Sequence, residues 1–212
     1  DEANPLAIRG AWKKPFTGTA DLVLAIGFRF WSGEKFGEAP TWSDKATYIQ
    51  VDTDPQRVGW RVPAEVGIVG DPKLVLQQII DKIHEVKADF SAKADDAWMK
   101  QMTKVRSNYE QMIIERAQAT HDDLPIHPDR LTKDLVSVID DDATLVVDSF
   151  TLSGYTSQWF TAHKMGQIVD AGPLAPVGHG VGMGIGVQLA RPGKQVVVVS
   201  GDGGIGIGGM DM

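Results

Sequence analysis

The sequence predicts an α/β fold in which parallel sheets are flanked by helices, with parts of two Rossmann-like domains. Short apolar runs, such as Leu22–Ile26 and Val196–Val199, are typical of strands that are buried on both faces. Segments with helical signals separate these runs. We therefore expect crossover connections between parallel strands, with helices covering the sheets.

The first part of the chain contains two clear strands and the start of a helix. The run Leu22–Ile26 is stopped by Gly27, and a second run from Tyr48 ends at Asp52. A short strand follows in VGIVG. Asp71 is a good N-cap and Pro72 a good first helical residue, so a helix is predicted to begin there.

The second part of the chain begins after a predicted linker at about residues 87–96, which are polar and rich in alanine. A long amphipathic helix, a helix at about 129–139, a strand in ATLVVDSF and a small-residue helix before KQVVVV are predicted in turn. We predict domain parts at residues 1–90 and 91–212. Both sheets lack expected strands, so the sequence is expected to be a segment of a longer protein.

The composition narrows the classes of function. The net charge of −7 argues against nonspecific nucleic-acid binding, because such binding needs a basic surface. The absence of cysteine excludes disulfides, cysteine-ligated zinc and a cysteine nucleophile, and it fits the cytoplasmic location that we predict. No apolar run reaches the ~18 residues of a membrane span, so no membrane partner is expected.

The closing stretch, VVVVSGDGGIGIGGMDM, places a glycine loop directly after a strand. Gly201, Gly203 and Gly206 fit the G-x-G-x-x-G fingerprint, in which backbone N–H groups bind a pyrophosphate. The carboxylate of Asp202 would repel that ligand by roughly 4 kcal/mol at about 4 Å. Mg²⁺ removes the conflict, because it binds carboxylate and phosphate oxygens together. The alternative is a glycine-rich turn with a solvent-facing aspartate.

A second candidate site follows the first two strands. Arg29 comes shortly after the first strand, and Asp52 ends the second, as in a Rossmann-like layout. An acidic residue at a strand end can accept ribose hydroxyls, and an arginine can bind phosphate with two parallel hydrogen bonds. The alternative is a turn aspartate and a surface arginine.

The segment GDGGIGIGGMDM resembles the start of the thiamin-diphosphate motif, which continues through a helix to an Asn-Asn pair. Upstream, GPLAPVGHGVGMGIGVQLARPGKQVVVVSGDG is similar to the segment that leads into this motif in the thiamin-diphosphate-dependent enzyme superfamily. YIQVDTDPQRVG and AEVGIVGDPKLVLQQII are similar to the end of its middle domain. The resemblance covers most of the chain, which ends before the Asn pair.

The resemblance implies residues for the metal and the diphosphate. Asp202 matches the Mg²⁺ ligand, and Gly203 and Gly204 match residues whose backbone contacts the diphosphate. In VVDSFTLSGY, Phe150 and Thr151 are our candidates for the turn that meets the diphosphate from the other side. These residues would therefore bind thiamin diphosphate through Mg²⁺ and through backbone groups.

The resemblance also implies residues beside the cofactor rings. Val177 matches the apolar residue that supports the bent cofactor, where family members often carry a bulkier side chain. Backbone groups of Ala175 and Val177 match contacts to the aminopyrimidine edge. The activating glutamate belongs to an N-terminal domain of a neighbouring subunit, and nothing in this chain matches it. We therefore assign no catalytic residue, and a histidine flanked by glycine, His179, is expected to be structural rather than an acid or base.

The stretch GFRFWSGEKFGEAPTWSDKATYIQVDTDP resembles most closely the branch of oxalyl-CoA decarboxylases and 2-hydroxyacyl-CoA lyases, whose middle domain binds ADP. Other members of the superfamily bind FAD there or nothing. The residues that would line the nucleotide are Gly27, Arg29, Asp52, Asp71 and Pro72.

These resemblances imply a lyase that uses thiamin diphosphate and Mg²⁺ and acts on a 2-hydroxyacyl-CoA, giving formyl-CoA and a ketone or aldehyde. Oxalyl-CoA decarboxylase and acetolactate synthase-like chemistry are alternatives within the superfamily. A Rossmann NAD(P) oxidoreductase and a non-catalytic nucleotide-sensing module are alternatives from other classes. The family's active sites lie between subunits, so a homo-oligomer, a dimer or tetramer, is expected.

Overall fold

The computed structural model describes residues 3–4, 6–8, 14–86 and 97–211. The chain divides into two compact units, which we call the N-terminal unit, residues 11–102, and the C-terminal unit, residues 103–212 together with 1–10. The linker predicted at residues 87–96 lies outside the described residues. The domain boundary predicted at residue 90 therefore stays a prediction.

The N-terminal unit contains a three-stranded parallel sheet in the order β1-β2-β3. The predicted strand at Leu22–Ile26 is confirmed. Asp71 caps the helix that follows the sheet by accepting the N–H groups of Lys73 and Leu74 at 2.9 and 3.1 Å. The elements are α1 (Lys14–Thr17), β1 (Leu22–Ile26), β2 (Thr47–Asp52), β3 (Val66–Val69) and α2 (Pro72–Glu85).

An aromatic cluster forms the core of the N-terminal unit. Phe30, Trp42 and Tyr48 are buried, and their rings meet edge to face. The polar atoms of two of these rings are bonded to backbone: Trp42 Nε1 donates to the carbonyl of Glu34, and Tyr48 Oη donates to the carbonyl of Ser43. Buried aromatic residues with polar tips are stable when those tips find such partners.

The C-terminal unit contains a second three-stranded parallel sheet, in the order β5-β4-β6. The central strand β4 is buried along its whole length, as its apolar sequence predicts. The strand β5 was not predicted, because three residues are too few to show a pattern. The strands are β4 (Thr144–Val147), β5 (Ile168–Asp170) and β6 (Val196–Val199).

Helices alternate with the strands of the C-terminal unit along the chain, and the α/β fold class with parallel sheets is confirmed. The small-residue helix predicted before β6 is present as α6 and packs against β6 and β4. None of the helices in the described part of the chain has the length and apolar character needed to cross a membrane. The helices are α3 (Ala97–Ala119), α4 (Pro128–Val138), α5 (Ser153–Trp159), α6 (His179–Ala190) and α7 (Asp202–Gly208).

A buried acidic residue joins three of these helices. Asp129, at the start of α4, is fully buried and accepts two hydrogen bonds from the guanidinium of Arg116 on α3. It also accepts Nε1 of Trp159 on α5 at 3.0 Å. A buried carboxylate needs such partners, because an unpaired buried charge is strongly destabilising.

Candidate functional site

The loops that follow β4, β5 and β6 lie at one edge of the second sheet, because parallel strands end at the same edge. Ligands of open parallel sheets bind outside this carboxyl edge. The residues assigned to thiamin diphosphate and Mg²⁺ all fall in these loops or in the first turn of α7. The structure therefore brings them to one edge of one sheet.

The glycine loop after β6 presents an exposed carboxylate. Gly201 precedes α7, and Asp202 is its first residue and is exposed. A Cβ at Gly203 would meet no atom within 4 Å, so the space beside this backbone is open. A Cβ at Gly204 would lie 2.4 Å from Ser200 Oγ and 2.5 Å from Asp148 Oδ2, so glycine is required there. The loop thus combines an exposed carboxylate at Asp202 with open space beside the backbone of Gly203.

The described residues contain no cluster of three or more His, Cys, Asp or Glu side chains that could hold a metal. A metal at Asp202 would therefore need most of its oxygen ligands from another source. Mg²⁺ is commonly bound by one or two carboxylates plus phosphate oxygens and water. The residues present thus fit a metal that is shared with a diphosphate, and they do not fit an independent protein metal site.

The segment before α6 is exposed at the same edge. Val177 is 49% exposed, and Ala175 has a left-handed backbone with φ of 33°. Gly178 follows with φ of 94°, and a Cβ there would lie 2.9 Å from two side-chain atoms of Ile207 on α7. The segment therefore approaches α7 so closely that only glycine fits at this position.

The two residues assigned to the β4 loop differ in their surroundings. Phe150 is half-buried, and its ring and Cβ lie 3.2 to 3.4 Å from where a Cβ at Gly201 would stand. Thr151 is exposed. The β4 loop and the glycine loop are thus in contact through Phe150.

A residue that the sequence did not single out lies at the centre of this edge. Asp148 directly follows β4 and is 1% exposed. Its Oδ1 accepts the N–H groups of Ser149 at 2.7 Å and Gly178 at 3.0 Å, and its Oδ2 accepts the hydroxyl of Ser200 at 2.7 Å. One carboxylate therefore bonds to all three segments of the candidate site.

The Asp148 carboxylate is held in its charged form. Burial by itself raises the pKa of Asp148, but the hydrogen bonds from Ser200, Ser149 and Gly178, together with the neighbouring His179, outweigh burial and lower this pKa below its ordinary value of 3.8. The carboxylate is therefore ionised at neutral pH and accepts hydrogen bonds at both oxygens.

The ring of His179 is turned into the unit. Nδ1 lies 3.2 Å from Oδ1 of Asp148 and also contacts the carbonyl of Pro176, while Nε2 lies 3.1 Å from the carbonyl of Val147. The side chain is 12% exposed. Both ring nitrogens are thus engaged by protein atoms, which supports the structural role expected from the sequence.

The residues assigned to the nucleotide lie at the carboxyl edge of the first sheet. Gly27 has φ of 60° and donates its N–H to the carbonyl of Val51. The carbonyl of Asp52 accepts the N–H of Gly70, next to Asp71. The ends of the three strands are therefore connected by backbone hydrogen bonds. The exposed Arg29 lies two residues after Gly27.

Two of these nucleotide candidates also have local structural contacts. The carboxylate of Asp52 accepts the N–H of Asp54 at 2.9 Å, and the carboxylate of Asp71 caps α2 from the position before Pro72. The structure brings the nucleotide candidates to one edge of the sheet, and their role in binding stays a prediction.

Sequence reasoning missed Asp148 and Ser200. A usable signal was present, because Asp148 ends an apolar strand in the same way as Asp52, and Ser200 directly precedes the glycine loop. The pattern alone, however, does not tell a buried strand-end aspartate from an exposed one.

Two family models match the chain. Residues 13–79 match the central domain of thiamine pyrophosphate enzymes, and residues 151–212 match their C-terminal TPP binding domain. Thiamine pyrophosphate and TPP are other names for thiamin diphosphate. The first match contains the nucleotide candidates, and the second contains Asp202 and the segment before α6.

Curated relatives of two kinds are similar to the chain. A probable acetolactate synthase large subunit from Methanocaldococcus jannaschii is 30% identical over 87% of this chain and 30% of its own length. A 2-hydroxyacyl-CoA lyase from Arabidopsis thaliana is 29% identical over 92% of this chain and 34% of its own length. The chain thus spans about a third of the length of the curated relatives it matches.

Proposed function

The chain belongs to the thiamine pyrophosphate enzyme family, and from this we propose that it binds thiamin diphosphate and Mg²⁺ in an enzyme that cleaves or forms a carbon–carbon bond of a 2-hydroxyacyl-CoA. In the cleavage direction the products are formyl-CoA and a ketone or aldehyde. The observation that carries the cofactor part is the exposed Asp202 in an open glycine loop, beside the loops after β4 and β5.

The chain's own residues would bind and orient the cofactor. Asp202 supplies one carboxylate to Mg²⁺, and the backbone groups of the exposed Gly203 and of the buried Gly204 would face the diphosphate. Val177 supplies an apolar surface for the rings, and Ala175 supplies backbone contacts. When bound, thiamin diphosphate provides a nucleophilic carbon and an electron sink for the bond that breaks.

The remaining diphosphate contacts and the oligomer are part of the same proposal. Phe150 and Thr151 would border the diphosphate from the β4 loop, and Phe150 already contacts the glycine loop at Gly201. A dimer or tetramer would supply the activating glutamate from a neighbouring subunit, because no residue of this chain is assigned that role.

For the N-terminal unit we propose an ADP site at the carboxyl edge of the first sheet. Arg29 is exposed and free to approach a phosphate, and one acceptor oxygen of Asp52 remains for a ribose hydroxyl. Calorimetry of the full-length protein with ADP and with FAD tests this site. Tighter binding of FAD than of ADP would contradict it.

Acetolactate synthase chemistry is the second candidate, because several curated relatives of similar identity carry that name. One sequence feature favours the acyl-CoA branch. It is the stretch that resembles this branch and contains Gly27, Arg29, Trp42 and Asp52. Assays of the full-length protein with a 2-hydroxyacyl-CoA and with pyruvate separate the two. Release of formyl-CoA supports the proposal, and formation of acetolactate instead overturns its substrate class.

Calorimetric titration of the full-length protein with thiamin diphosphate tests the metal bridge. Binding is expected in Mg²⁺ and to be lost in EDTA. Asp202→Ala is expected to weaken binding on the order of 100-fold or more, because a contact between unit charges at about 4 Å contributes roughly 4 kcal/mol at an effective dielectric near 20.

The matched control is Asp122→Ala, which removes an exposed carboxylate from the loop between α3 and α4 of the same unit. The affinity of this variant for thiamin diphosphate is expected to stay at the wild-type value. Equal binding in EDTA, or an unchanged affinity after Asp202→Ala, would show that the carboxylate holds no metal for the cofactor.

A further inference from the structure

The buried carboxylate of Asp148 touches all three segments to which cofactor binding is assigned. Its bond to Gly178 lies one residue after Val177, and its bond to Ser200 lies two residues before Asp202. Its bond to Ser149 lies one residue before Phe150. Each bond is therefore within two residues of a group that would contact the diphosphate, the metal or the rings.

The contacts of Asp148 join parts of the chain that are far apart in sequence. Gly178 is 30 residues away, and Ser200 is 52 residues away. The two partners lie on different segments, one before α6 and one before α7. A single side chain thus links the segment before α6 to the loop before α7 by hydrogen bonds.

Two helix glycines pack closely against the side chain of Asp148. A Cβ at Gly180 on α6 would lie 2.9 Å from Cβ of Asp148, and a Cβ at Gly204 on α7 would lie 2.5 Å from its Oδ2. Real Cβ atoms do not approach other atoms so closely. Both helices therefore contact Asp148 through positions where only glycine fits.

The ionised carboxylate of Asp148 lies beside the ring of His179 and accepts hydrogen bonds from uncharged donors. His179, the first residue of α6, places Nδ1 at 3.2 Å from Oδ1, and the other contacts come from hydroxyl and amide donors. Hydrogen bonds to an ionised acceptor are about twice as strong as those between neutral groups. The charge therefore strengthens each bond that joins the segments.

Building on the proposed cofactor site, we propose that Asp148 is a positioning residue for thiamin diphosphate: its buried carboxylate sets the spacing between the ring-side segment at Ala175–Val177 and the diphosphate-side loop at Gly201–Gly204. It acts through Gly178 and Ser200 and does not itself touch the cofactor. A ligand that spans both segments depends on this spacing, whereas a ligand that uses the diphosphate-side loop alone does not.

The test compares two ligands on the full-length protein with the variant Asp148→Asn, which keeps the shape and removes the charge. With Mg²⁺ present, thiamin diphosphate affinity is expected to fall about 10- to 100-fold, because weakening the charge-assisted bonds to Gly178 and Ser200 loosens the spacing on which this ligand depends. The affinity for inorganic pyrophosphate, measured in the same way, is expected to fall by less than about threefold.

The matched control is Asp129→Asn, another fully buried and hydrogen-bonded aspartate of the C-terminal unit. This variant is expected to lower the melting temperature and to change the thiamin diphosphate affinity of the folded protein by less than about twofold. A general loss of stability would lower the affinity for both ligands in both variants. Equal losses for thiamin diphosphate and pyrophosphate in Asp148→Asn therefore overturn the positioning role, as does an unchanged thiamin diphosphate affinity.

If Asp148→Asn does not fold, Ser200→Ala decides, because it removes one hydroxyl and leaves the buried charge with its other donors. The expected loss of thiamin diphosphate affinity is about 3- to 10-fold, with pyrophosphate affinity less affected. Equal losses of affinity for thiamin diphosphate and pyrophosphate in Ser200→Ala would also overturn the positioning role of Asp148. A wild-type protein that binds no thiamin diphosphate contradicts the proposed function itself. Wild-type binding with unaffected variants contradicts only the role of Asp148.

Discussion

The two sheets of this protein each end their central strand with an aspartate, and the two aspartates have opposite surroundings. Asp52 is the last residue of β2 and is half-buried, and its carboxylate accepts one backbone N–H from Asp54, two residues away. Asp148 follows β4, is 1% exposed, and its carboxylate binds three donors from three segments. The same local sequence pattern thus gives a turn residue in one sheet and a buried junction in the other.

The difference arises from what packs over the strand end. In the N-terminal unit a turn follows Asp52, and no helix glycine lies against its carboxylate among the described residues. In the C-terminal unit, α6 and α7 approach Asp148 through Gly180 and Gly204. The chemical role of a strand-end carboxylate is therefore decided by the elements that cover it.

The largest expected effect comes from removing each carboxylate. Asp148→Ala leaves three donors without an acceptor in a buried site, and each such group costs about 1–3 kcal/mol. The C-terminal unit is therefore expected to lose roughly 3–9 kcal/mol of stability, and Asp52→Ala is expected to cost the N-terminal unit about 0.5–1.5 kcal/mol. Hydrogen–deuterium exchange of peptides from β4 and β2 in the full-length protein measures both. Equal losses would contradict the comparison.

A smaller effect is expected from adding one methyl group beside each aspartate. Gly204→Ala places a Cβ against Asp148 and Ser200, and overpacking of this kind costs about 1–3 kcal/mol. Gly27→Ala meets no atom within 4 Å, and its cost of about 1 kcal/mol arises from the positive φ alone.

Thermal unfolding and thiamin diphosphate titration distinguish the two glycine variants. Gly204→Ala is expected to lower both the melting temperature and the cofactor affinity, and Gly27→Ala only the melting temperature. A Gly204→Ala protein with wild-type affinity would mean that the packing on Asp148 is unimportant for the cofactor site.

The smallest effects on stability are expected at the extremes of pH. The C-terminal unit is expected to lose stability at acidic pH and the N-terminal unit at alkaline pH. The lowered pKa of Asp148 contributes stability that is present above its ordinary value of 3.8 and is lost as pH falls through the lower folded-state pKa. In the N-terminal unit, burial and then the nearby Asp44 raise the pKa of Tyr48 above 10.0. The resulting contribution of Tyr48 to stability is present below pH 10.0 and is lost as pH rises through its folded-state pKa.

Exchange experiments across the pH range check this contrast. Peptides from β4 are expected to lose protection below about pH 4, and Asp148→Asn removes that part of the dependence. Peptides from β2 are expected to lose protection above about pH 10, and Tyr48→Phe removes it. Loss of the alkaline response of β2 after Asp148→Asn would argue against separate contributions.

Much of the fold could be predicted from local sequence. The apolar run Leu22–Ile26 predicted β1, and Asp71 with Pro72 predicted the first residue of α2. Strand β5 could not be predicted, because a strand of three residues gives no periodic signal. The short helix α5, Ser153–Trp159, was likewise missed.

The candidate site was predictable where a residue is unusual in its own motif. Asp202 stands out because a carboxylate interrupts a glycine loop, and the structure leaves it exposed. The central role of Asp148 could not be predicted in the same way, because an aspartate after an apolar strand is common and is often a turn residue.

The sequence by itself determined the strands other than β5, the start of α2 and the position of a carboxylate in the last glycine loop. These features depend on neighbours within a few residues, such as an N-cap and its amide donors. The tertiary structure alone decided which strand-end aspartate is buried and which segments it joins, because the partners of Asp148 lie 30 and 52 residues away. Burial and hydrogen bonding over such separations depend on how whole helices pack, and no local pattern specifies that packing.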